Sequence, residues 1–408
     1  MRRKYLLVSV VVAAIMIIAS VSALVSVVPN TSTKSPQKSG IAGYTVHAPI
    51  YIIGNSGFQG ANGSTGISSG SGTQSDPYII QGWEIDASGY NYAIYVSSSS
   101  VFFKIVDCYL HHASQTGVYF YGVSNGLVFN STCSNNTLSG IRIHDSGSNT
   151  ISNNTCSDNS QGMTFVTSSG MKLRNNTLVN NGLVTYGYSL GAWTHDIDTS
   201  NTVNGKPLYY YKSTVGGTVP AGAGQVILAG CSDMIVENQS ISGASYAINI
   251  GYCSNISIAN NSCVNNSDLG IYVWYSNGNS LRNNSLNSSG KGAGIQVYTS
   301  SSNTLYDNVC TGHGSNGIEL YYSSNSNTLA RNTLFNNTLN GIMIYQSSSN
   351  TVFNNTCISN GYYGITVQAS SGNALSNNNC SSNDYEGIYL KSSSGSTLTN
   401  NTCNLNNQ

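Results

Sequence analysis

A unit of 23 or 24 residues repeats through the second half of the chain and limits what it can fold into. Copies start at Asn279, Asn303, Asn327, Asn350 and Asn373, and a Gly-Ile step at Gly270, Gly294, Gly317, Gly341, Gly364 and Gly387 marks their phase. Each copy has two short runs of alternating apolar residues, such as Val352 with Cys357 and Ile365 with Val367. Alternation specifies strands; the Asn, Ser and Gly clusters between them specify turns, because Asn and Gly tolerate positive φ. One copy cannot bury a core alone, whereas stacked copies share one, each strand bonding its equivalent a turn away. A leucine-rich repeat would need a Leu-x-x-Leu-x-Leu consensus, which these copies lack.

The same phase opens earlier, at Ala93, Gly117, Gly140 and Gly162, then lapses until Ala247. Residues 183–225 in that gap read as an irregular insertion holding Trp193, His195, Asp196, Asp198 and Lys206. It is either a packing flap or a loop that carries function, as loops on rigid scaffolds often do. At the start, Arg2, Arg3 and Lys4 precede an apolar run, so residues 1–29 read as a signal peptide or an uncleaved signal anchor. Residues 5–28 are long enough to tether the chain to a membrane. A linker (30–43), a cap with aromatic opening strands (44–90), coils (91–182), the insertion and further coils (226–408) complete the organisation. Charged residues are 7% of the chain and sum to zero net charge, which argues against nucleic acid as a partner.

The stretch from Gly70 to Asp86 (GSGTQSDPYIIQGWEID), the Asn-Asn-Thr and Gly-Ile repeats, and Ser200 to Asn238 resemble the NosD-type β-helix family, in its branch of archaeal surface proteins. The resemblance implies a right-handed coil and an exported protein. It also implies an accessory role in metalloenzyme maturation as one alternative. The family's copper label does not carry over by residue, because the sequence shows no cluster of His, Met or exposed Cys. No cofactor is expected.

Candidate chemistry follows the phase. Cys133 and Cys156 are one period apart, as are Cys357, Cys380 and Cys403, with Cys108, Cys263 and Cys310 read as sharing that position. Leu178, Leu286 and Leu334 take the place of Cys in other coils, so the position is read as an inward core ladder of free thiols. Gly312-His313-Gly314 matches a short polygalacturonase motif, but the coil before it has no carboxylate to serve as acid or base. Arg142, His144 and Asp145 read as a solvated surface group, and His195 with Asp196 and Asp198 as a weak metal set. No catalytic residue and no metal ligand is assigned from the sequence.

Four residues past successive phase glycines stand Trp274, Tyr298, Tyr321 and Tyr345. In register, these rings form an outer column about 4.8 Å apart, suited to stacking on sugar rings or a protein surface. With Trp193 and His195 of the insertion they make the candidate ligand-binding set. Asn153, Asn175, Asn283, Asn336, Asn354 and Asn400 begin N-glycosylation sequons, which the repeat also generates through its turn chemistry. The array stops partway through a copy at Cys403, so self-association at the last coil is expected.

The reading is an all-β chain: a single right-handed parallel β-helix (solenoid) of about 13 coils with about 23 residues each. It is expected outside the cell or at the cell surface, free if the signal is cleaved and membrane-anchored if it is not. There it would be a non-enzymatic scaffold for a cell-surface glycan or an envelope protein, with a carbohydrate-active lyase or hydrolase as the alternative.

Overall fold

The computed structural model describes residues 43–59 and 65–407, which contain strands, turns and short 3-10 segments but no α-helix. The expected signal segment 1–29, the tether 5–28 and the linker up to residue 42 lie outside the described residues. Among the described residues no helix is long and apolar enough to cross a membrane.

Each coil is three strands, for example Thr116–Val123, Gly126–Phe129 and Thr132–Ser134, or Tyr246–Gly251, Ser257–Ala259 and Ser262–Val264. Equivalent strands pair in parallel and in register, with Ile141 opposite Met163 and Val352 opposite Leu375. About 14 turns are stacked, one more than the spacing suggested.

The phase glycine has a steric cause. A Cβ on Gly117 would lie 2.8 Å from the Gly140 carbonyl oxygen, and one on Gly341 2.6 Å from that of Gly364. Only glycine lets consecutive coils approach this closely.

The Asn-rich corners hold ladders of side-chain amides. Asn308 donates from its backbone N–H (3.0 Å) and its Nδ2 (3.0 Å) to Asn332 Oδ1, and Asn332 does the same to Asn355. Nδ2 of Asn308 also reaches the Leu281 carbonyl at 3.0 Å. These ladder asparagines thereby satisfy backbone groups that the bend removes from the sheet, which is what buried polar groups require. Asn181, where the first stack ends, is an exception with neither side-chain atom paired.

The cysteine reading is supported with one correction. Cys133 sits between Leu110 and Cys156, and Cys310 between Leu286 and Leu334, all inward. Cys108, however, precedes that position by two residues. It occupies an Asn-ladder corner, where its N–H bonds Ser131 Oγ at 3.1 Å. The described cysteines are free, and all but Cys403 are buried.

One step breaks the parallel order and divides the coils into two stacks. Thr202–Val203, the last strand on its face of the first stack, turns back and pairs antiparallel with the start of Lys206–Lys212. That strand then pairs parallel with Gln225–Ala229, from which the second stack grows. Much of the expected irregular insertion 183–225 is therefore regular: Leu183–Tyr186 and Asp196–Ile197 continue two faces of the first stack. Its irregular parts are a flap at 187–195 and the reversal.

The reversal lays the outer side of the first stack's Gly-Ile sheet against that of the second. Val184, from the former, joins Tyr246, Leu269, Tyr272 and Trp274, from the latter, in one buried apolar cluster. Gln225 closes the free edge of Leu183–Tyr186 as a strand would. Its Oε1 accepts from Leu183 N–H (2.9 Å), and its Nε2 donates to the carbonyls of Leu183 (2.7 Å) and Tyr246 (2.8 Å).

Candidate functional site

The expected aromatic column is in register: Trp274 faces Tyr298, Tyr298 faces Tyr321, and Tyr321 faces Tyr345. Its exposure differs from expectation. Trp274 is 5% exposed because the flap covers it. Its Nε1 donates to the Gly187 carbonyl at 3.0 Å, and the Tyr188 ring packs over it at 5.6 Å. Tyr252 Oη (3.1 Å) and Trp193 Nε1 (3.3 Å) donate to the same oxygen.

Trp193 is fully buried over Gly251, the residue opposite Trp274 one coil earlier, and an added Cβ there would enter its indole ring. Trp193 is thus a structural plug. His195 is buried as well, with Nε2 3.2 Å from Thr185 Oγ1 and burial pushing its pKa down to about 3. It forms no metal set with Asp196 and Asp198, whose carboxylates both turn to Arg174.

Beyond the flap the rings do not form a straight column. Tyr298 stacks on Trp274 at 4.2 Å, but its next neighbour is Tyr322 at 5.3 Å, and Tyr322 meets Tyr345 edge-on at 5.6 Å. Tyr322 belongs to a second row at the corner after the strand, with Tyr252 and Tyr275, whose rings stack 5.4 Å apart. These three tyrosines have φ of 57°, 45° and 47° (Tyr252, Tyr275, Tyr322). Thr299 takes that corner between Tyr275 and Tyr322, and later coils place Gln346, Ala369 or Ser392 there. A bulky side chain at positive φ costs on the order of 1 kcal/mol or more. Three on one edge form a half-exposed surface bordered by Tyr188, which is 65% exposed. Sequence reasoning missed the corner row because it looked only at the alternating strand.

The other candidates resolve into structure. Arg142 and His144 are buried rather than solvated. Arg142 lies 5.9 Å from the Tyr119 ring centroid, and His144 Nδ1 is 3.0 Å from the Tyr119 hydroxyl. His313 is fully buried as a member of an Asn ladder. Its Nδ1 accepts from Ser289 N–H at 3.0 Å, and its Nε2 donates to the Leu286 carbonyl at 3.2 Å. The Gly-His-Gly match is therefore a corner, not a catalytic motif.

Two acids are held in unusual states. Burial pushes Asp268 up to about 6, with Tyr246, Gln161 and Lys291 beside it, and burial raises Glu319 despite donors from Asn316, Gln296 and Ser315. A groove of about 610 Å³ is lined by both stacks, including Asn136, Ser160, Lys291 and Ser267, the residue before Asp268, though not by Asp268 itself.

The six sequon asparagines, Asn153, Asn175, Asn283, Asn336, Asn354 and Asn400, are all exposed with φ between 51° and 58°. Each precedes the buried or half-buried Asn of the ladder. The sequence showed no cluster of metal ligands, yet the first coils bring donor atoms of Asp86, His111 and His112 within 4.8 Å of one another.

A parallel β-solenoid with an aromatic flank is the class these features define. The chain belongs to the right-handed β-helix family, whose model matches residues 39–205 and 214–357. The interval between the two matches falls on the strand that makes the reversal. Residues 313–408 also match the periplasmic copper-binding protein (NosD) family, making the chain a NosD-type β-helix protein. No curated protein matches it.

Among solved structures it is similar to a periplasmic alginate epimerase, AlgG, at 12% identity over 86% of this chain and 85% of that one, with a TM-score of 0.36. The A-module of the Azotobacter vinelandii mannuronan C-5 epimerase AlgE4 is 13% identical over 78% and 88% of the respective chains, with a TM-score of 0.40. PfbA, a surface adhesin of Streptococcus pneumoniae, is 13% identical over 73% and 82%, with a TM-score of 0.29. These distant likenesses bear on neither substrate nor chemistry.

Proposed function

We propose that this chain is an exported envelope protein that binds a neutral glycan along the tyrosine surface of its second stack, without catalysis. The observation that carries the reading is the corner row, where Tyr275 and Tyr322 stand half-exposed at an unfavourable backbone angle and Tyr252 anchors the row to the flap. Strain of this kind persists where the ring position is used. Tyrosine offers an apolar face for the carbon side of a sugar and a hydroxyl for its polar edge. The low charge of the chain favours a neutral ligand over a polyanion. An exported location is supported by the basic-apolar N-terminal sequence and by the periplasmic family matched at residues 313–408. The exposed sequon asparagines are then available as glycan acceptors wherever the host glycosylates exported chains.

The test is a glycan array probed with the full chain and with a Tyr322→Ser/Tyr345→Ser variant, followed by incubation of any bound glycan with the protein. The wild type should retain a subset of neutral glycans unaltered, and the variant should lose them at an unchanged melting temperature. A wild type that binds none, or a variant that binds equally, overturns the proposal. A protein partner in place of a glycan would show as an empty array.

A second reading, a carbohydrate-active enzyme, draws on Asp268. Burial raises the Asp268 carboxyl to about 6, one residue from Ser267 of the groove between the stacks, and a raised carboxyl is what a general acid needs. Turnover of a bound glycan, abolished by Asp268→Asn, would select this reading over simple binding.

A further inference from the structure

We infer that Asp86, His111 and His112 form a binding site for a divalent transition-metal ion of the zinc class, on the outer face of the first coils. The register makes the site. Asp86 pairs directly with His111 one coil on, and the alternation that turns Ile85 and Leu110 inward turns Asp86 and His111 outward. His112 follows at the corner with φ 56°, a conformation that swings its ring back toward its neighbour.

Three atoms converge. His111 Nδ1 and His112 Nδ1 share a 2.7 Å hydrogen bond, whose proton an ion would displace, and Asp86 Oδ1 lies 3.9 Å from the first and 3.7 Å from the second. The point in their plane equidistant from three atoms with those separations lies about 2.0 Å from each, the length of a Zn–N or Zn–O bond, and a small parting of the two imidazoles brings the set to a tetrahedral arrangement.

The surroundings suit a bound ion. Glu84 Oε1 is 3.6 Å from His111 Nε2, the far nitrogen of that ring. That separation is longer than a hydrogen bond; a slight approach of the carboxylate would hold the Nε2–H tautomer, which turns the Nδ1 lone pair toward the ion, as outer-shell acids do for metal-bound histidines. The Tyr109 ring packs on His111 with centroids 4.5 Å apart and holds the imidazole in place. Asp86 Oδ1 also accepts from Ser88 N–H (3.0 Å) and Ser88 Oγ (2.6 Å). A bound ion would take the lone pair now given to the Ser88 hydroxyl, which can rotate to solvent. His111 is buried while Asp86 and His112 are exposed, so the fourth position faces water. Two imidazoles and one carboxylate with an open position are the donor set of a zinc-class site.

The site follows from the coil pairing and is independent of the glycan proposal. Its test uses untagged full-length protein stripped with a chelator. Titration with Zn²⁺ by calorimetry should show one ion per chain, and Co²⁺ should give the visible absorption of a four-coordinate site. Asn readily adopts the backbone angle at 112, so His112→Asn removes a ligand and keeps the corner. His112→Asn and Asp86→Asn should each weaken Zn²⁺ binding at least tenfold. The double variant His111→Gln/His112→Asn should abolish it, and the control His144→Gln should change nothing. No stoichiometric Zn²⁺ binding by the wild type, or binding that survives in the folded double variant, would overturn the inference.

Discussion

The corner positions show best how one side chain is selected for its neighbours. Most coils place Asn in the ladder because its amide both accepts and donates along the stack. His313 replaces it once, in a form that works only when neutral: Nδ1 must accept from Ser289 N–H while Nε2 donates. Burial depresses its pKa to about 4, against the Leu286 carbonyl, which pulls it up. An unfolded histidine takes its proton near 6.5. Below that value the unfolded chain binds more protons than the folded one, so stability falls as pH drops toward about 4 and is flat above about 6.5. The effect amounts to about 3 kcal/mol at most. His195 acts in the same direction, and Asp268, raised by burial, acts in the opposite one. Denaturant titrations of wild type and His313→Asn at pH 7 and pH 4.5 isolate the single residue. The variant should keep the ladder bonds and lose less stability on acidification. Equal losses would mean that His313 is not held neutral.

Elements differ in how much of them the sequence exposes. The phase glycines, the inward Cys/Leu positions and the in-register row from Trp274 to Tyr345 are legible because they recur at a fixed interval. The flap is not, because its partners lie far along the chain: Gly187 meets Trp274, and Trp193 meets Gly251. Nothing in a local pattern says that a glycine at the start of an aromatic row is a socket for a tryptophan from another coil. Sequence patterns also do not say which outward faces become covered, so Arg142 and His144 read as a solvated group and Trp193 and His195 as ligand-binding residues, although all four are buried. The socket makes its own prediction. Gly251→Ala should force Trp193 out of place and cost about 1–3 kcal/mol, the usual penalty for overpacking. Tryptophan fluorescence should become more accessible to quencher at the same time. An Ala variant as stable and as shielded as the wild type would contradict the plug.

For the whole molecule, the period foretold a stack of coils but not that the stack reverses. A reversal needs a single antiparallel pairing, here Thr202 with Pro207 and Val203 with Lys206, a local event with no periodic signal. It decides which part of the aromatic row is spent on joining the stacks and which part remains open. Trp274 and Tyr272 go into the junction, while Tyr298, Tyr322 and Tyr345 stay half-exposed beyond it. The same chain carries another tyrosine group at Tyr362 and Tyr385, stacked 5.1 Å apart, which lacks the strained corner residues and serves as an internal control. The most direct measurement is calorimetric titration of the best array glycan into three proteins: wild type, Tyr322→Ser/Tyr345→Ser, and Tyr362→Ser/Tyr385→Ser. Each lost aromatic contact is expected to cost on the order of 1 kcal/mol, so the first variant should bind at least tenfold more weakly and the second like the wild type. Equal affinity in all three, or a greater loss in the second variant, would contradict the assignment of binding to the surface left open by the reversal.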